Sequence, residues 1–420
     1  MQKRLIVQKY GGSSVATVEK IRAVARRVVE TRRQGNDLVV VVSAMGHSTD
    51  HLFDLARQVA GDPHRRELDL LLSTGELTSM SLLAMAIRDL GEEAVALTSG
   101  QCGIVTNDVH TNARILRIHP SRVRAEVARG TVVVVAGFQG ISESGEVTTL
   151  GRGGSDTTAT ALAAALGADA CQIFTDVPYV YSADPRVVPT AQPLPELHAD
   201  EMQELAWHGA QVMKAEAVEF AQSNGIGFEI ASATSGAPGS RIRVDDEEDV
   251  FVPHRPAVAG VAGRTDLLRL TFRSGALPPE AQSTFFQEIA GYDMVFGRMG
   301  GAGGTVDLLL STQEIPNPDQ LRRDLLERFG GAVEVESDLG AASLIGFGLG
   351  SRPAALFDAL RALAESGLEV RDSFTGRESL SFVLEAARVQ EGVRKLHAAF
   401  VEESPLAPQP AVAGEQHQRS

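Results

Sequence analysis

Cysteine is scarce in this sequence: Cys102 and Cys171 are the only two among 420 residues. Two isolated cysteines indicate neither a disulfide framework nor a zinc site. The composition therefore suits a reducing cytoplasm, and we expect both thiols to be buried as small apolar side chains.

Basic residues are in the minority, with 39 lysines and arginines against 54 aspartates and glutamates and a net charge of −15. Without a basic run, nucleic acid is not an expected partner. No apolar stretch predicts a membrane span, and the start of the chain lacks the apolar core of a secretory signal. The ten histidines are scattered without an H-E-x-x-H motif, so no histidine metal site is predicted.

The chain does contain a glycine-rich run at residues 148–158, TTLGRGGSDTT, followed at once by an apolar helical run at 159–166. Glycines let a backbone approach a bulky anion closely, and the free amides of a helix start point toward it. Arg152 within the run is suited to hold a carboxylate or phosphate through two parallel hydrogen bonds. The same run is also compatible with an ordinary turn before a helix.

Strand and helix patterns alternate over roughly the first 230 residues. Strands are predicted at 4–7, 38–42, 94–97, 131–136, 171–175 and 227–231, and helices at 15–33, 77–90, 159–166 and 210–223. This alternation predicts an open, mostly parallel α/β/α sandwich in residues 1–245. Ligands of such sheets lie at the carboxyl ends of the strands. The sequence places at these ends Lys9, Ser43, Gly137, Phe138 and Asp176.

The texture changes near residues 235–256, where turn residues precede an acidic run at 245–249, and we place a domain boundary there. Two shorter units follow at 256–337 and 340–402, each with the βαββαβ order of a ferredoxin-like domain. Residues 405–420 are rich in Pro, Ala, Gln and Gly and are predicted to form a disordered tail.

Three charged residues stand near glycines, helix starts or strand ends. Lys9 follows a predicted strand and precedes Gly11 and Gly12, Glu76 opens a predicted helix, and Asp176 follows a buried strand. Alone, each has a simpler explanation: a surface lysine, a carboxylate favoured at a helix start, and a capped turn. Together with Arg152 and the two glycine turns that can cradle anions, they suit phosphoryl transfer, in which positioning and charge neutralisation dominate. A carboxylate acceptor needs no general base, because it is already ionised at neutral pH.

Six segments in this order and spacing resemble an aspartokinase of the amino-acid kinase superfamily. They are KYGGSSV, VVVSAMGHSTD, LSTGE, VAGFQG, TTLGRGGSDTTA and FTDVPYVYSADPR, and the resemblance covers most of residues 1–231. The two C-terminal units resemble the paired ACT regulatory domains of that family, whose last segment usually returns to complete the first ACT unit.

The resemblance implies ATP- and Mg²⁺-dependent phosphorylation of the β-carboxylate of L-aspartate, which commits carbon to lysine, threonine and methionine synthesis. It implies catalytic roles for Lys9 and Asp156, the latter orienting Lys9 or organising the metal region. The implied aspartate contacts are Thr49, Glu76 through the ammonium group, Arg152 and Ser155. The implied ATP contacts are Lys9, Tyr10, Gly11, Gly12, Ser13, Thr175, Asp176, Tyr181, Arg186, Gln211 and Val212.

Several positions depart from the family pattern. Gln211 replaces a lysine that usually contacts ATP, with Lys214 as a candidate substitute, and Ala231 replaces an arginine. In the first ACT-like unit, Gly297 and Arg298 replace the Gln-Asn pair that commonly binds the inhibitory amino acid, and the second unit departs from the usual S-T-S-E-I. We therefore expect inhibition by lysine or threonine to be weak, altered or absent.

Two other functions compete with an active aspartokinase. A kinase for another amino-acid carboxylate, such as glutamate or N-acetylglutamate, is disfavoured by the LSTGE motif and the paired ACT-like units. A non-catalytic amino-acid-binding regulator would explain Gln211 and the lost arginine, but Lys9, Arg152 and Asp156 are all retained. Because ACT units usually pair, the resemblance also implies a homodimer or a higher oligomer.

Overall fold

The computed structural model describes residues 3–402 except 152, 211, 235–237, 245–257, 274–275, 277, 290–291, 293, 301–304, 314 and 316. Arg152, Gln211, the predicted tail at 405–420 and most of the predicted boundary at 235–256 lie outside the described residues. The chain divides into two compact units. The first comprises Met1–Tyr181, Pro193–Ala206 and Gln211–Phe251, and the second comprises Ser182–Gln192, Trp207–Ala210 and Val252–Ser420.

The first unit carries fourteen strands and seven helices among the described residues. The strands are β1 (Leu5–Tyr10), β2 (Asp37–Val42), β3 (Ala94–Leu97), β4 (Ile104–Thr106), β5 (Ile115–Ile118), β6 (Val132–Ala136), β7 (Gln139–Ser142), β8 (Val147–Thr149), β9 (Ala170–Thr175), β10 (Val180–Tyr181), β11 (Pro193–Leu194), β12 (Glu196–His198), β13 (Phe228–Ser232) and β14 (Ser240–Arg243). The helices are α1 (Val18–Arg33), α2 (Ser48–Val59), α3 (Arg65–Asp89), α4 (Ser121–Ala128), α5 (Gly154–Leu166), α6 (Ala199–Trp207) and α7 (Ala215–Ser223).

The main sheet of the first unit has eight strands in the order β12-β14-β13-β9-β1-β2-β6-β3. Every neighbouring pair is parallel except β13 and β14. The valine runs of β2 and β6 are buried throughout, as expected of central strands covered on both faces. A second sheet has the order β5-β4-β7-β8, and β10 pairs with β11. The predicted parallel α/β sandwich is therefore confirmed.

Five local predictions differ from the structure. The helix predicted at 159–166 is α5, which already begins at Gly154, so Ser155 and Asp156 of the glycine-rich run lie inside it. Lys9 lies inside β1 instead of after it, and the helix predicted from residue 15 begins at Val18, after a 3-10 turn. The helix predicted at 210–223 begins at Ala215. The helix predicted at 77–90 is α3, which begins at Arg65, so Glu76 lies in the middle of a helix and not at its start. The sequence patterns also missed α2, α4, α6 and the second sheet.

By length and composition α3 could cross a membrane, contrary to the prediction from sequence, since its best 18-residue window has a mean hydropathy of 1.5. Half of that window is buried inside the protein, and the helix packs against β3 and β6. The helix also buries the carboxyl groups of Asp69 and Glu76. These features fit a core helix of the first unit.

The second unit contains one six-stranded antiparallel sheet in the order β16-β17-β15-β18-β20-β19, with the following elements. The strands are β15 (Gly260–Arg273), β16 (Met294–Gly300), β17 (Thr305–Ser311), β18 (Val333–Ile345), β19 (Asp372–Thr375) and β20 (Ser379–Glu385). The helices are α8 (Pro279–Ile289), α9 (Pro318–Phe329), α10 (Pro353–Glu365) and α11 (Val389–His397). The long strands β15 and β18 pair along most of their length, so the two ACT-like units predicted from sequence share one sheet.

Candidate active site

The turn that follows β1 is held between the ends of two neighbouring strands. The amide of Gly11 donates to the carbonyl of Phe174 at the end of β9 (3.2 Å), and the carbonyl of Gly12 accepts from the amide of Gly46 beyond β2 (3.0 Å). A Cβ on Gly12 would lie 2.9 Å from the carbonyl oxygen of Ala44. Only glycine leaves this turn in place, and the turn lies at the carboxyl edge of the sheet, where ligands bind in such folds.

Lys9 and Asp156 form a buried charge pair at this edge. The Nζ atom of Lys9 lies 2.6 Å from Oδ1 of Asp156, and the two side chains are only 10% and 9% exposed. Their contact lacks hydrogen-bond geometry, and Oδ1 of Asp156 has no hydrogen-bond partner among the described residues. The pair therefore retains hydrogen-bonding capacity for a ligand, in a place where removing either charge would leave the other buried alone.

The glycine-rich run brings the start of α5 against neighbouring segments. A Cβ on Gly137 at the end of β6 would lie 2.7 Å from Oγ of Ser155. Gly153 has φ +70°, and a Cβ there would overlap the aliphatic part of Lys214. Lys214 thus lies along the loop that contains Arg152. The first helix amides are not all free, since those of Gly154 and Asp156 donate to carbonyls of the loop itself.

Glu76 reaches the end of β2 from the middle of α3. Its side chain is buried, the amide of Ala44 donates to Oε1 (3.0 Å), and Oε2 has no hydrogen-bond partner in the described part of the chain. Burial raises the pKa of Glu76 to about 7, although the bond from the Ala44 amide opposes this change. One buried carboxylate oxygen is therefore available to a cationic group of a ligand.

A cavity lies beside α2 and α3. Its volume is about 630 Å³, and it is lined by Ala16, Met45, Gly46, His47, Ser48, His51, Leu52, Thr74, Gly75 and Thr78. Thr49 is the second residue of α2 and follows the lining residue Ser48, while Glu76 follows the lining residue Gly75. The size is within the usual range for small-molecule sites.

Thr175 and Asp176 lie at the end of β9, and Tyr181 follows in β10. The hydroxyl of Thr175 donates to Oδ1 of Asp176 (2.9 Å). Tyr181 in β10 makes an edge-to-face contact with Tyr179 at 6.3 Å between ring centres. Val212 is half-buried, shortly before Lys214.

Other predicted ATP contacts are placed differently. The side chain of Tyr10 is fully buried, stacks on Phe174 at 4.8 Å and donates to Oε1 of Gln8 (3.2 Å), so only its backbone is available to a nucleotide. Burial also raises the pKa of the Tyr10 hydroxyl. Ser13 is exposed in the turn after β1. Arg186 belongs to the second unit, where its exposed guanidinium pairs with Asp184 (2.8 Å).

Asp69 is a structural part of the site region that the sequence patterns did not reveal. It is fully buried on α3, and its Oδ1 accepts from the hydroxyl of Thr149 (2.6 Å), directly before the glycines of the loop. It also accepts from the amide of Thr111 (3.0 Å), which has φ 70°, and contacts Nδ1 of His110 at 2.8 Å. Asp69 therefore fixes the approach to the loop that contains Arg152.

Arg27 of α1 is a second residue that the sequence patterns missed. It donates to the carbonyls of Ser232 and Ala233 (3.0 and 3.2 Å), and its guanidinium lies 4.7 Å from the centre of the Phe174 ring. An arginine charge is thus present at the end of β13, the strand in which Ala231 replaces the family's arginine. Helical periodicity places Arg27 on a polar face, so only the fold reveals these contacts.

Comparison with known proteins gives a consistent result. A family model described as the amino acid kinase family matches residues 4–232. The aspartokinase of Geobacillus stearothermophilus is 40% identical over 401 residues, which cover 94% of this chain and 97% of the relative. The aspartokinase of Bacillus sp. (strain MGA3) is 42% identical over 405 residues, with the same two coverages. E. coli aspartokinase III, solved with aspartate and ADP, has the same fold, with a TM-score of 0.80 at 24% identity over 94% of this chain and 99% of that chain.

The chain therefore belongs to the amino acid kinase family, whose model matches more than half of its length. Its relatives at about 40% identity over nearly their whole length place it among the aspartokinases, and it is accordingly a phosphotransferase. The family resemblance seen in the sequence motifs is confirmed.

Replacing Asp69 tests its role in holding the loop. Asp69→Asn turns one acceptor into a donor that faces the hydroxyl of Thr149 or the amide of Thr111, so we expect a loss of about 1–3 kcal/mol in the free energy of unfolding. We also expect a lower kcat, measured with the variant fully folded. Asp89→Asn, at the exposed end of the same helix, is the matched control and is expected to change stability by less than about 0.5 kcal/mol. Equal stability and kcat in the two variants would contradict the assigned role.

Proposed function

We propose that this chain phosphorylates the β-carboxylate of L-aspartate with ATP and Mg²⁺, giving 4-phospho-L-aspartate for lysine, threonine and methionine synthesis. The observation that carries the proposal is the buried pair of Lys9 and Asp156 at the carboxyl edge of the sheet, directly before the glycine turn that follows β1. Glu76 reaches the end of the neighbouring strand β2 through the amide of Ala44. The aspartokinase relatives and the ligands of E. coli aspartokinase III support the same reaction.

The residues at this edge fit a nucleotide. ATP supplies the phosphoryl group that is transferred. The ammonium group of Lys9 neutralises the charge that develops on that group, and the turn at Gly11 and Gly12 lets the backbone approach it closely. Thr175, Asp176 and Tyr181 hold the remainder of the nucleotide from the ends of β9 and β10, together with Arg186 and Val212. The charge lost at Gln211 is replaced by Lys214, whose stem lies against Gly153.

The residues also fit a Mg²⁺ ion that is held partly by the protein and partly by the substrate phosphates. The described residues contain no group of three or more histidine, cysteine or carboxylate side chains that could hold a metal. Mg²⁺ is commonly held by one or two carboxylates together with substrate phosphates and water, and Asp156 supplies one buried carboxylate beside Lys9. Asp156 would thus orient Lys9 or organise the metal.

The aspartate substrate is held through its charged groups. Glu76 pairs its free Oε2 with the α-ammonium group, Arg152 binds a carboxylate, and Thr49 and Ser155 contribute hydrogen bonds. The β-carboxylate is already ionised at neutral pH and can attack directly, so no side chain has to remove a proton. This explains a site in which a buried lysine and two buried carboxylates are present without a general base.

An assay of acyl phosphate formation tests the reaction directly. With ATP and Mg²⁺, trapping by hydroxylamine is expected to give a hydroxamate from L-aspartate but not from L-glutamate. Lys9→Ala is expected to reduce kcat by at least about 100-fold, as expected when a group that stabilises transition-state charge is removed. Lys3→Ala, on the surface before the same strand, serves as the matched control and should keep full activity. Turnover on glutamate at a similar rate, or an active Lys9→Ala variant, would refute the proposal.

The pH dependence of substrate capture tests the role of Glu76. Because burial raises the pKa of Glu76 to about 7, this group loses its charge, and with it the attraction for the ammonium group, as the pH falls below 7. We expect kcat/KM for aspartate to fall about tenfold for each further pH unit on the acid side, since this ratio reports ionisations of the free enzyme.

Variants of α3 separate this effect from general pH effects. Glu76→Gln is expected to raise the KM for aspartate and to remove the acid limb of the profile. Glu67→Gln, which changes an exposed carboxylate near the start of the same helix, should leave the profile unaltered. An acid limb that persists in Glu76→Gln would show that another group controls it.

Regulation by amino acids is proposed to be altered in this chain. Arg298, which stands where the family commonly has asparagine, pairs with Asp307 (3.3 Å) and Asp372 (3.1 Å). Arg269 also pairs with Asp372 (2.9 Å), so Asp372 is held by two guanidinium groups. An effector would have to displace these pairs to bind here.

Lysine and threonine, alone and together, are therefore expected to inhibit only weakly in the assay above. Half-maximal inhibition at sub-millimolar lysine plus threonine would overturn this expectation. Arg298→Asn, which restores the common residue, is expected to increase sensitivity. We also propose that the enzyme is cytoplasmic and forms a homodimer or a higher oligomer through its ACT-like units.

A further inference from the structure

The chain leaves the first unit and returns to it at two places. The segments Ser182–Gln192 and Trp207–Ala210 belong to the second unit, although the chain on both sides of each belongs to the first. The first segment directly follows Tyr181 and contains Arg186, and the second ends two residues before Val212. Both excursions thus adjoin or include residues proposed above to bind ATP.

A buried chain of hydrogen bonds holds the first excursion. The amide of Gln192 donates to Oγ of Ser182 (2.9 Å), and Oγ of Ser182 lies 2.9 Å from Nε2 of His397. Nδ1 of His397 lies 3.1 Å from Oε1 of Glu402, which also accepts from the hydroxyl of Thr190. Both ends of the excursion, at Ser182 and Gln192, are therefore tied to the last turn of α11.

The direction of each bond follows from the chemistry of the groups. An ionised carboxylate only accepts, so Nδ1 of His397 carries the hydrogen that Glu402 receives, and Nε2 accepts from the hydroxyl of Ser182. Burial lowers the pKa of His397, which keeps the imidazole neutral as this arrangement requires. Ser182 and His397 are 1% and 0% exposed, so this serine–histidine–glutamate order is not a hydrolytic site but a fixed structural connection.

Backbone bonds close the first excursion, and the second is held in a comparable way. The amide of Ser182 donates to the carbonyl of Gln192 (2.9 Å), and the amide of Val261 in β15 donates to the carbonyl of Ser182 (2.7 Å). In the second excursion, the ring of buried His208 lies between the hydroxyls of Ser343 and Ser379, at 3.2 Å from each.

We infer that His397 is a positioning residue for the nucleotide site: through Ser182 it fixes the ends of the first excursion, and with them Tyr181 and Arg186. This inference rests on the ATP contacts proposed for these two residues. We expect this positioning to affect the binding of ATP and not that of aspartate, because the elements that carry Thr49 and Glu76 contain no such excursion.

Ser182→Ala tests the connection with a small change. It removes the hydroxyl that joins Gln192 to His397, and we expect the KM for ATP to rise about three- to tenfold, as for the loss of one or two buried hydrogen bonds. The KM for aspartate and the kcat at saturating ATP should change less than about twofold. Ser366→Ala is the matched control, because it also removes a serine hydrogen bond in the second unit, to the carbonyl of Ala362, from a residue outside both excursions.

Two further variants separate positioning from a loss of stability. Glu402→Gln keeps a carbonyl acceptor for Nδ1 of His397 and should retain a nearly unchanged KM for ATP. His397→Ala should raise that KM, and combining it with Ser182→Ala should add little, because both break the same chain of bonds. Thermal unfolding of each variant verifies that the protein is folded under assay conditions.

Arg186→Ala distinguishes failure of this inference from failure of the proposed nucleotide contacts. If Arg186→Ala raises the KM for ATP while Ser182→Ala and His397→Ala leave it unchanged, the positioning role is wrong and the ATP contact stands. If none of the three changes it, both are wrong. A parallel rise in the KM values for ATP and aspartate would also overturn the inference, because a general distortion would then explain the effect.

Discussion

The buried contact between Lys9 and Asp156 is the constraint on which the rest of the first unit depends. Removing two charges from water is costly, and each charge is tolerated here only because the other is 2.6 Å away. Lys9 is fixed by β1 at the centre of the sheet, whereas Asp156 is fixed by the first turn of α5. The strand order and the glycine-rich loop therefore have to bring these two elements together, and the candidate site forms where they meet.

Such convergence leaves little room for side chains around the pair. Gly12 faces the carbonyl of Ala44 and Gly137 faces Ser155, each with less than 3 Å available to a Cβ. A Cβ at Gly12 would press on the backbone of Ala44, and a Cβ at Gly137 would press on Ser155, the neighbour of Asp156 in α5. Glycine at these two positions therefore permits the close packing at this edge and also leaves the backbone open to a phosphate.

Sequence patterns predicted the parallel sheet, because buried strands leave a local signal. The contact of Lys9 with Asp156 was implied only by the resemblance to aspartokinases, since no local pattern joins two residues so far apart in the chain. Sequence patterns misplaced Glu76, since Gly75 resembles a break before a helix. In the fold, Gly75 lies inside α3. A Cβ at this position would come within 2.8 Å of Cβ of Ala44, so the close packing of the helix explains why the residue is glycine. Asp69 left no local signal, because all its partners are distant in the chain.

The two excursions escaped prediction for a related reason: composition marks linkers, and segments as short as Trp207–Ala210 have no distinctive composition. Each excursion joins residues of the second unit covalently to particular residues of the first unit. A ligand can shift an equilibrium only through contacts that differ between two states. A rearrangement of α11 or β15 would act on Ser182 through its hydrogen bonds with His397 and Val261, and Ser182 is joined to Tyr181 by a peptide bond. The described elements that carry Glu76 and Thr49 contain no such excursion. Signals from the second unit are therefore expected to alter ATP binding before aspartate binding.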